Sequence, residues 1–148
     1  MQKIVPWKHK VQYYETDQMK IVHHSNYIRW FEEARVSMLE QIGAGYDTFE
    51  KEGIISPVLT VESEYRNMVR FGETVEIRVK TEAFNGVRLS LTYEVVRESD
   101  GVLCCTGRTS HCFLNSEGRP LSLKRSKPEF YEAISSLSAK EQKKSEQK

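Results

Sequence analysis

The sequence contains no apolar run long enough to cross a membrane, and its first residues lack the apolar segment of a secretory signal. Its formal net charge is only +1, so it has no excess of basic residues for binding nucleic acid. Three cysteines, of which Cys104 and Cys105 are adjacent, are too few for a disulfide framework. We therefore expect a cytoplasmic protein with reduced thiols, no membrane span and no nucleic-acid partner.

Two common catalytic signatures are also missing. The chain has neither the G-x-S-x-G sequence of many serine hydrolases nor a glycine-rich phosphate loop. With 148 residues, 39% hydrophobic and 29% charged, it has the length and composition of one globular domain. We assign that domain to residues 1–136 and expect the polar residues 137–148 to form a disordered tail.

Apolar residues at three- and four-residue steps predict one long amphipathic helix over residues 26–42, with Ser25 or Asn26 as N-cap and Gly43 beyond its end. This stripe contains Tyr27, Phe31, Ala34, Met38 and Ile42. Arg35 falls inside the stripe. We expect its side chain either to extend to the surface or to pair with a sheet carboxylate such as Glu62 or Glu64.

Alternating apolar and polar residues predict the strands. They are expected over residues 8–14, 57–65, 74–83, 87–96 and 102–114, with a tight turn at Asn85-Gly86 and a short helix from residue 127. This order predicts an α+β domain in which one antiparallel sheet wraps one helix. Such a sheet leaves edge strands, so we expect the final strand or its neighbour to pair with a second copy of the chain.

The most informative segment is residues 13–27, where Asp17, His23 and His24 lie just ahead of the predicted helix. Free backbone N–H groups at a helix start favour negative charge, and a carboxylate beside them suits acyl transfer. An ordinary loop carboxylate and packed or capping histidines are the alternative interpretation. A metal site is disfavoured, because adjacent histidine side chains diverge and no matching ligand cluster is present.

A second group of candidates is the basic run Lys124, Arg125 and Lys127. Guanidinium and ammonium groups suit phosphate oxygens, so these residues could bind a phosphorylated ligand. The alternative is a solvated charged turn before the last helix.

Four segments together resemble the hotdog-fold acyl-CoA thioesterases, in particular the 4-hydroxybenzoyl-CoA thioesterase and YbgC-type branch. They read YYETD from residue 13, IVHHSNY from residue 21, FEEAR from residue 31 and YRNMVRFGE from residue 65. The resemblance implies a hotdog fold, a five-stranded antiparallel sheet around one long central helix. It further implies an acyl-CoA substrate, no metal or cofactor, and dimers that pair into tetramers.

The same resemblance implies roles for residues of the motif. Asp17 matches the catalytic carboxylate, and the backbone N–H at His24 matches the group that polarises the thioester carbonyl. We assign His23, Ser25, Asn26 and Tyr27 to substrate binding and the run Lys124, Arg125 and Lys127 to the CoA phosphates. The chain departs from the family pattern at Lys20, where a glycine is usual, and at Met68, where a proline is common.

The sequence thus predicts a hydrolase that releases free CoA and a carboxylic acid. Asp17 would act as nucleophile or general base, and the helix start would hold the oxyanion. A hotdog dehydratase or hydratase acting on an acyl thioester and a non-catalytic acyl-CoA-binding protein are the alternatives.

Overall fold

The fold is one five-stranded antiparallel sheet with a long helix packed against it. The computed structural model describes the backbone of residues 4–146 and the side chains of residues 4–137. The strands are β1 (Trp7–Lys10), β2 (Val58–Tyr65), β3 (Thr74–Phe84), β4 (Arg88–Arg97) and β5 (Leu103–Cys112), in the order β1-β3-β4-β5-β2. The predicted α+β architecture is confirmed.

The long helix α1 (Ser25–Gln41) forms where the apolar stripe predicted it, but its N-cap is His24, and the prediction of Ser25 or Asn26 as N-cap is wrong. Its inner face buries Tyr27, Phe31, Ala34 and Met38, while Glu32 and Glu40 are exposed. Trp30, which the stripe did not include, is completely buried against the same core. The first two turns of α1 are therefore fixed by large aromatic side chains.

The described residues form three further helices, and two of them were not predicted. They are α2 (Tyr46–Lys51) and α3 (Leu123–Ser126), which the sequence analysis missed, and α4 (Pro128–Glu146), which it predicted from residue 127. The backbone of α4 stays helical to Glu146, where the sequence analysis expected a disordered tail from residue 137. The last two residues of that tail lie outside the described residues, and the domain boundary at residue 136 stays a prediction.

Strand β1 ends at Lys10, and the prediction that it continues to Tyr14 is wrong. A short 3-10 turn, Tyr13–Glu15, takes its place because the Glu15 carboxylate accepts the backbone N–H of Gln12 at 2.8 Å. Strand β5 lies between β4 and β2, so it cannot itself be the free edge. Its neighbour β2, the other candidate, is an edge strand.

The side chain of Arg35 follows neither predicted course. It is buried, and it donates from Nε to the Tyr46 hydroxyl at 2.9 Å and from Nη1 to the Tyr93 hydroxyl at 3.1 Å. Burial by itself would lower its pKa, but the two phenol oxygens raise it, so the guanidinium stays charged. Neither Glu62 nor Glu64 contacts it, because both of these carboxylates are exposed on the edge strand β2.

Candidate active site

Asp17 lies in a tight loop whose two ends are joined. Thr16 and Val22 form an antiparallel bridge, and the Asp17 N–H donates to the Ile21 carbonyl at 2.9 Å. The Lys20 N–H closes a turn on the Asp17 carbonyl, also at 2.9 Å. Lys20 has φ +65°, the left-handed conformation that glycine adopts without a steric cost. A lysine in place of the usual glycine therefore strains the backbone at the candidate site.

The Asp17 carboxylate is half-buried, and only one of its oxygens is occupied within the described residues. Oδ1 accepts the Met19 N–H at 2.8 Å, which fixes the side chain over its own loop. Oδ2 has no hydrogen-bond partner in this part of the chain. One oxygen thus orients the side chain, and the other is available for chemistry.

The start of α1 presents a free N–H group. The His23 N–H donates to the Glu15 carbonyl at 2.8 Å, and the Ser25 N–H makes only a long contact of 3.3 Å to the His23 ring. The His24 N–H, between them, has no acceptor among the described residues. An unpaired N–H at a helix N-terminus, with the helix dipole behind it, is suited to bind an oxyanion.

Two residues that the sequence analysis missed fix this helix start. Tyr65, the last residue of β2, donates its hydroxyl to the His24 carbonyl at 3.1 Å, and the Ser63 hydroxyl donates to Tyr65 at 2.7 Å. The Tyr65 ring packs edge-on against Tyr27, with centroids 5.1 Å apart. A tyrosine at the end of an edge strand carries no sequence signal for this role, since its partner lies 41 residues away along the chain.

The predicted substrate-binding residues differ in exposure. His23 and Ser25 are exposed and bonded to each other, with His23 Nδ1 2.9 Å from the Ser25 hydroxyl. Asn26 is buried, and its amide donates to the Glu15 and His23 carbonyls at 2.9 and 3.2 Å. Tyr27 is also buried, and burial raises the pKa of its phenol, which therefore stays protonated. Asn26 thus fixes the backbone at Glu15 and His23, and Tyr27 packs against the Tyr65 ring.

The basic run of the sequence is not close to Asp17 within one protomer. α3, which carries Lys124 and Arg125, is held to the turn after β3 by a hydrogen bond from the Leu123 N–H to the Gly86 carbonyl. The Asp17 loop instead meets Arg70, ahead of β3. The two regions therefore lie at opposite ends of β3, an 11-residue strand about 35 Å long. Lys127 is further engaged by Glu52, at 2.6 Å.

The cysteines show no features of reactive thiols. Cys104 and Cys105 are buried free thiols, and burial raises the pKa of Cys105 to about 12. Within the described residues, no three His, Cys, Asp or Glu side chains come together as a metal-binding group. In the same part of the chain, no helix is long and apolar enough to cross a membrane.

A helix wrapped by one antiparallel sheet, with a carboxylate loop ahead of a free helix N–H, is the arrangement of a hotdog thioesterase. The chain belongs to the Thioesterase-like superfamily, whose family model matches residues 11–138. The resemblance drawn from the sequence is thereby confirmed, and the protein is an enzyme of the thioester-hydrolase class.

Individual relatives agree with this assignment. YneP of Bacillus subtilis, provisionally named an acyl-CoA thioesterase, is 31% identical over 125 residues, which are 84% of this chain and 90% of the relative. The acyl-CoA thioester hydrolase YbgC of Escherichia coli is 26% identical over 66% of this chain and 72% of its own. The crystal structure of a DHNA-CoA thioesterase from Staphylococcus aureus superposes with a TM-score of 0.87, at 32% identity over 93% of both chains.

Proposed function

We propose that the protein hydrolyses acyl-CoA thioesters, with Asp17 as nucleophile or general base and the His24 N–H as the oxyanion donor. The observation that carries the proposal is the unpaired His24 N–H, at the start of the helix that follows the Asp17 loop. It is a donor with no competing acceptor in the described chain, and it needs no reorganisation to meet a developing negative charge.

Two routes use the same groups. In one, Asp17 Oδ2 attacks the thioester carbon, the C–S bond breaks to release CoA thiolate, and water then hydrolyses the mixed anhydride. In the other, Asp17 takes a proton from a water molecule that attacks the carbonyl directly. Both routes put negative charge on the carbonyl oxygen, which the His24 N–H stabilises. The His24 imidazole is exposed and could assist the water or the leaving sulfur.

Exposed His23 and Ser25 would contact the bound thioester, whereas buried Asn26 and Tyr27 would shape the wall behind it. We further propose a homo-oligomer, a dimer or a dimer of dimers, in which β2 pairs with a second copy. Four apolar side chains of this edge strand are exposed, namely Val58, Leu59, Val61 and Tyr65. Lys124, Arg125 and Lys127, being far from Asp17 of their own protomer, would bind CoA phosphates only from a neighbouring subunit.

The test measures free-thiol release from a panel of short, long and aromatic acyl-CoAs by the wild type and by Asp17→Asn. We expect the variant to lose nearly all of the release, because an amide can neither attack the carbonyl nor accept the proton. Asp47→Asn, at an exposed aspartate in the first turn of α2, is the matched control and should keep wild-type rates. Undiminished release by Asp17→Asn would overturn the role of Asp17.

Two other outcomes would overturn the hydrolase itself. Enoyl absorbance without thiol release would indicate a dehydratase, and binding of the panel without any turnover would indicate an acyl-CoA-binding protein. Single turnover in ¹⁸O-labelled water tests the covalent route, since label enters the Asp17 carboxyl only when water hydrolyses a covalent anhydride at that carboxyl.

A further inference from the structure

Glu15 is a buried carboxylate that no part of the proposed chemistry uses. Its side chain is only 4% exposed, and it accepts three hydrogen bonds. Oε1 accepts the Gln12 N–H at 2.8 Å and lies 2.7 Å from His9 Nε2, while Oε2 accepts the Trp30 indole N–H at 2.8 Å. These partners belong to β1, to the turn after it and to α1, so one carboxylate connects three parts of the chain.

His9 is bound to carboxylates on both sides. Its Nε2 meets Glu15, and its Nδ1 lies 3.1 Å from Glu33 Oε2 on α1. The contact with Glu15 has hydrogen-bond geometry, so the ring is oriented by the buried carboxylate. The ring also packs on Trp30, with centroids 4.9 Å apart. His9 thus supplies a hydrogen-bond partner that the buried Glu15 carboxylate needs.

The backbone of Glu15 is tied to the active site. Its carbonyl accepts the His23 N–H at 2.8 Å and the Asn26 side-chain amide at 2.9 Å, both at the start of α1. Asp17 follows Glu15 by two residues, and the free His24 N–H follows His23 by one. Glu15 therefore joins the two ends of the segment that carries the proposed nucleophile and the proposed oxyanion donor.

We propose that His9 and Glu15 form a positioning pair that holds the Asp17 loop against the start of α1. The pair touches no substrate, and it acts through the Glu15 carbonyl on the positions of His23 and His24. Its effect on catalysis rests on the proposed function, whereas its effect on the backbone does not.

The charged state of Glu15 is consistent with this role. Burial by itself would raise the pKa of its carboxyl, but the three hydrogen bonds outweigh burial and lower the pKa. The carboxylate therefore stays ionised across the neutral range and keeps its hold on His9 and Trp30.

The test compares His9→Gln, Glu15→Gln and the double variant by steady-state kinetics and by amide hydrogen exchange at His23. We expect His9→Gln to lower kcat at least about 10-fold with KM changed less than about 2-fold, because a displaced catalytic group slows chemistry more than it weakens binding. His23 should exchange faster in every variant. The double variant should be no slower than Glu15→Gln, since both changes break one unit.

Lys8→Gln is the matched control. Lys8 precedes His9 on β1 and loses only an exposed ion pair to Glu98, so both measurements should stay at their wild-type values. His9→Gln is the safer variant if Glu15→Gln fails to fold, because the His9 side chain is already 13% exposed. A folded His9→Gln with wild-type kcat and wild-type exchange at His23 would overturn the pairing.

Failure of the two proposals can be told apart. If the wild type releases no thiol from any acyl-CoA, the proposed function fails and the exchange measurement still decides whether His9 and Glu15 hold the helix start. If the wild type is active and His23 exchange is unchanged in the variants, the positioning pair fails alone.

Discussion

The ring of Phe31 on α1 lies directly on the backbone of Gly107 on β5, where a Cβ atom would collide with the edge of the ring. The same ring stacks on Tyr93 of β4, with centroids 4.5 Å apart. The helix can approach the sheet this closely only because β5 has no side chain at that point. Gly107 therefore sets the spacing between the two layers of the fold.

This relationship predicts that Gly107→Ala destabilises the protein by about 2 kcal/mol, since overpacking a filled core has costs of that order. Chemical denaturation followed by tryptophan fluorescence measures the change. Arg108→Ala, next along the strand with its side chain exposed, should change the free energy of unfolding by less than about 0.5 kcal/mol. Equal effects of the two substitutions would contradict the assignment.

The buried His111 makes the free energy of unfolding depend on pH. Burial, together with the nearby Arg35 guanidinium, lowers its pKa to about 4 from the ordinary 6.5. The unfolded chain takes up a proton as the pH falls through 6.5, and the folded chain does so only near 4. The free energy of unfolding is thus highest above pH 6.5. It falls by about 3 kcal/mol in all between pH 6.5 and pH 4.

Urea denaturation at intervals from pH 7.5 to 4.5 checks this dependence. His111→Gln, which cannot titrate, should flatten the fall in unfolding free energy over that range. If the variant and the wild type fall with the same slope, His111 is not the group responsible.

Two substitutions at the buried Arg35 separate the effect of its planar guanidinium geometry from the effect of its charge. Lysine has no planar fork, so Arg35→Lys should leave at least one of the Tyr46 and Tyr93 hydroxyls without its hydrogen bond from residue 35 and destabilise the fold by about 2 kcal/mol. Arg35→Met removes the buried charge as well as the hydrogen bonds, and it should cost less than Arg35→Lys. Thermal unfolding of both variants gives the order, and a more stable lysine variant would contradict this account.

Lys20 is strained by its positive φ. Lys20→Gly should raise the free energy of unfolding by up to about 1 kcal/mol, because glycine adopts this conformation without a Cβ clash. Lys20→Asn removes the charge but keeps a side chain that tolerates the left-handed region, so it separates charge from strain in thiol-release assays. Lower stability of Lys20→Gly would show that the side chain compensates for the strain.

The proposed pairing of β2 predicts that Val61→Lys weakens self-association, because a charge on an edge strand opposes strand pairing. Sedimentation over a range of protein concentrations measures the effect. Val87→Lys is the matched control, since Val87 is similarly exposed, at 38% against 41% for Val61, and lies away from the edge. A wild type that sediments as a monomer would exclude the pairing altogether.

Much of the fold follows from local pattern. The helix period identified α1, and the alternation around Asn85-Gly86 identified β3 and β4, because both signals depend on neighbouring residues alone. Strand β1 was predicted too long, since a carboxylate capping its own turn at Glu15 competes with the strand pattern. The α2 helix was missed because six residues give too few turns for a periodic signal.

The sequence by itself identified the Asp17 loop, the helix start after it and the family, because these lie within one short run of residues. Only the tertiary structure decided what Arg35 binds, which strands lie at the sheet edges and at which end of β3 Lys124 and Asp17 each lie. It also decided the surroundings of Glu15, whose partner His9 is on β1 and whose partner Trp30 is on α1. These relationships join residues that are separated along the chain, and a contact between such residues exists only once the sheet has closed on the helix.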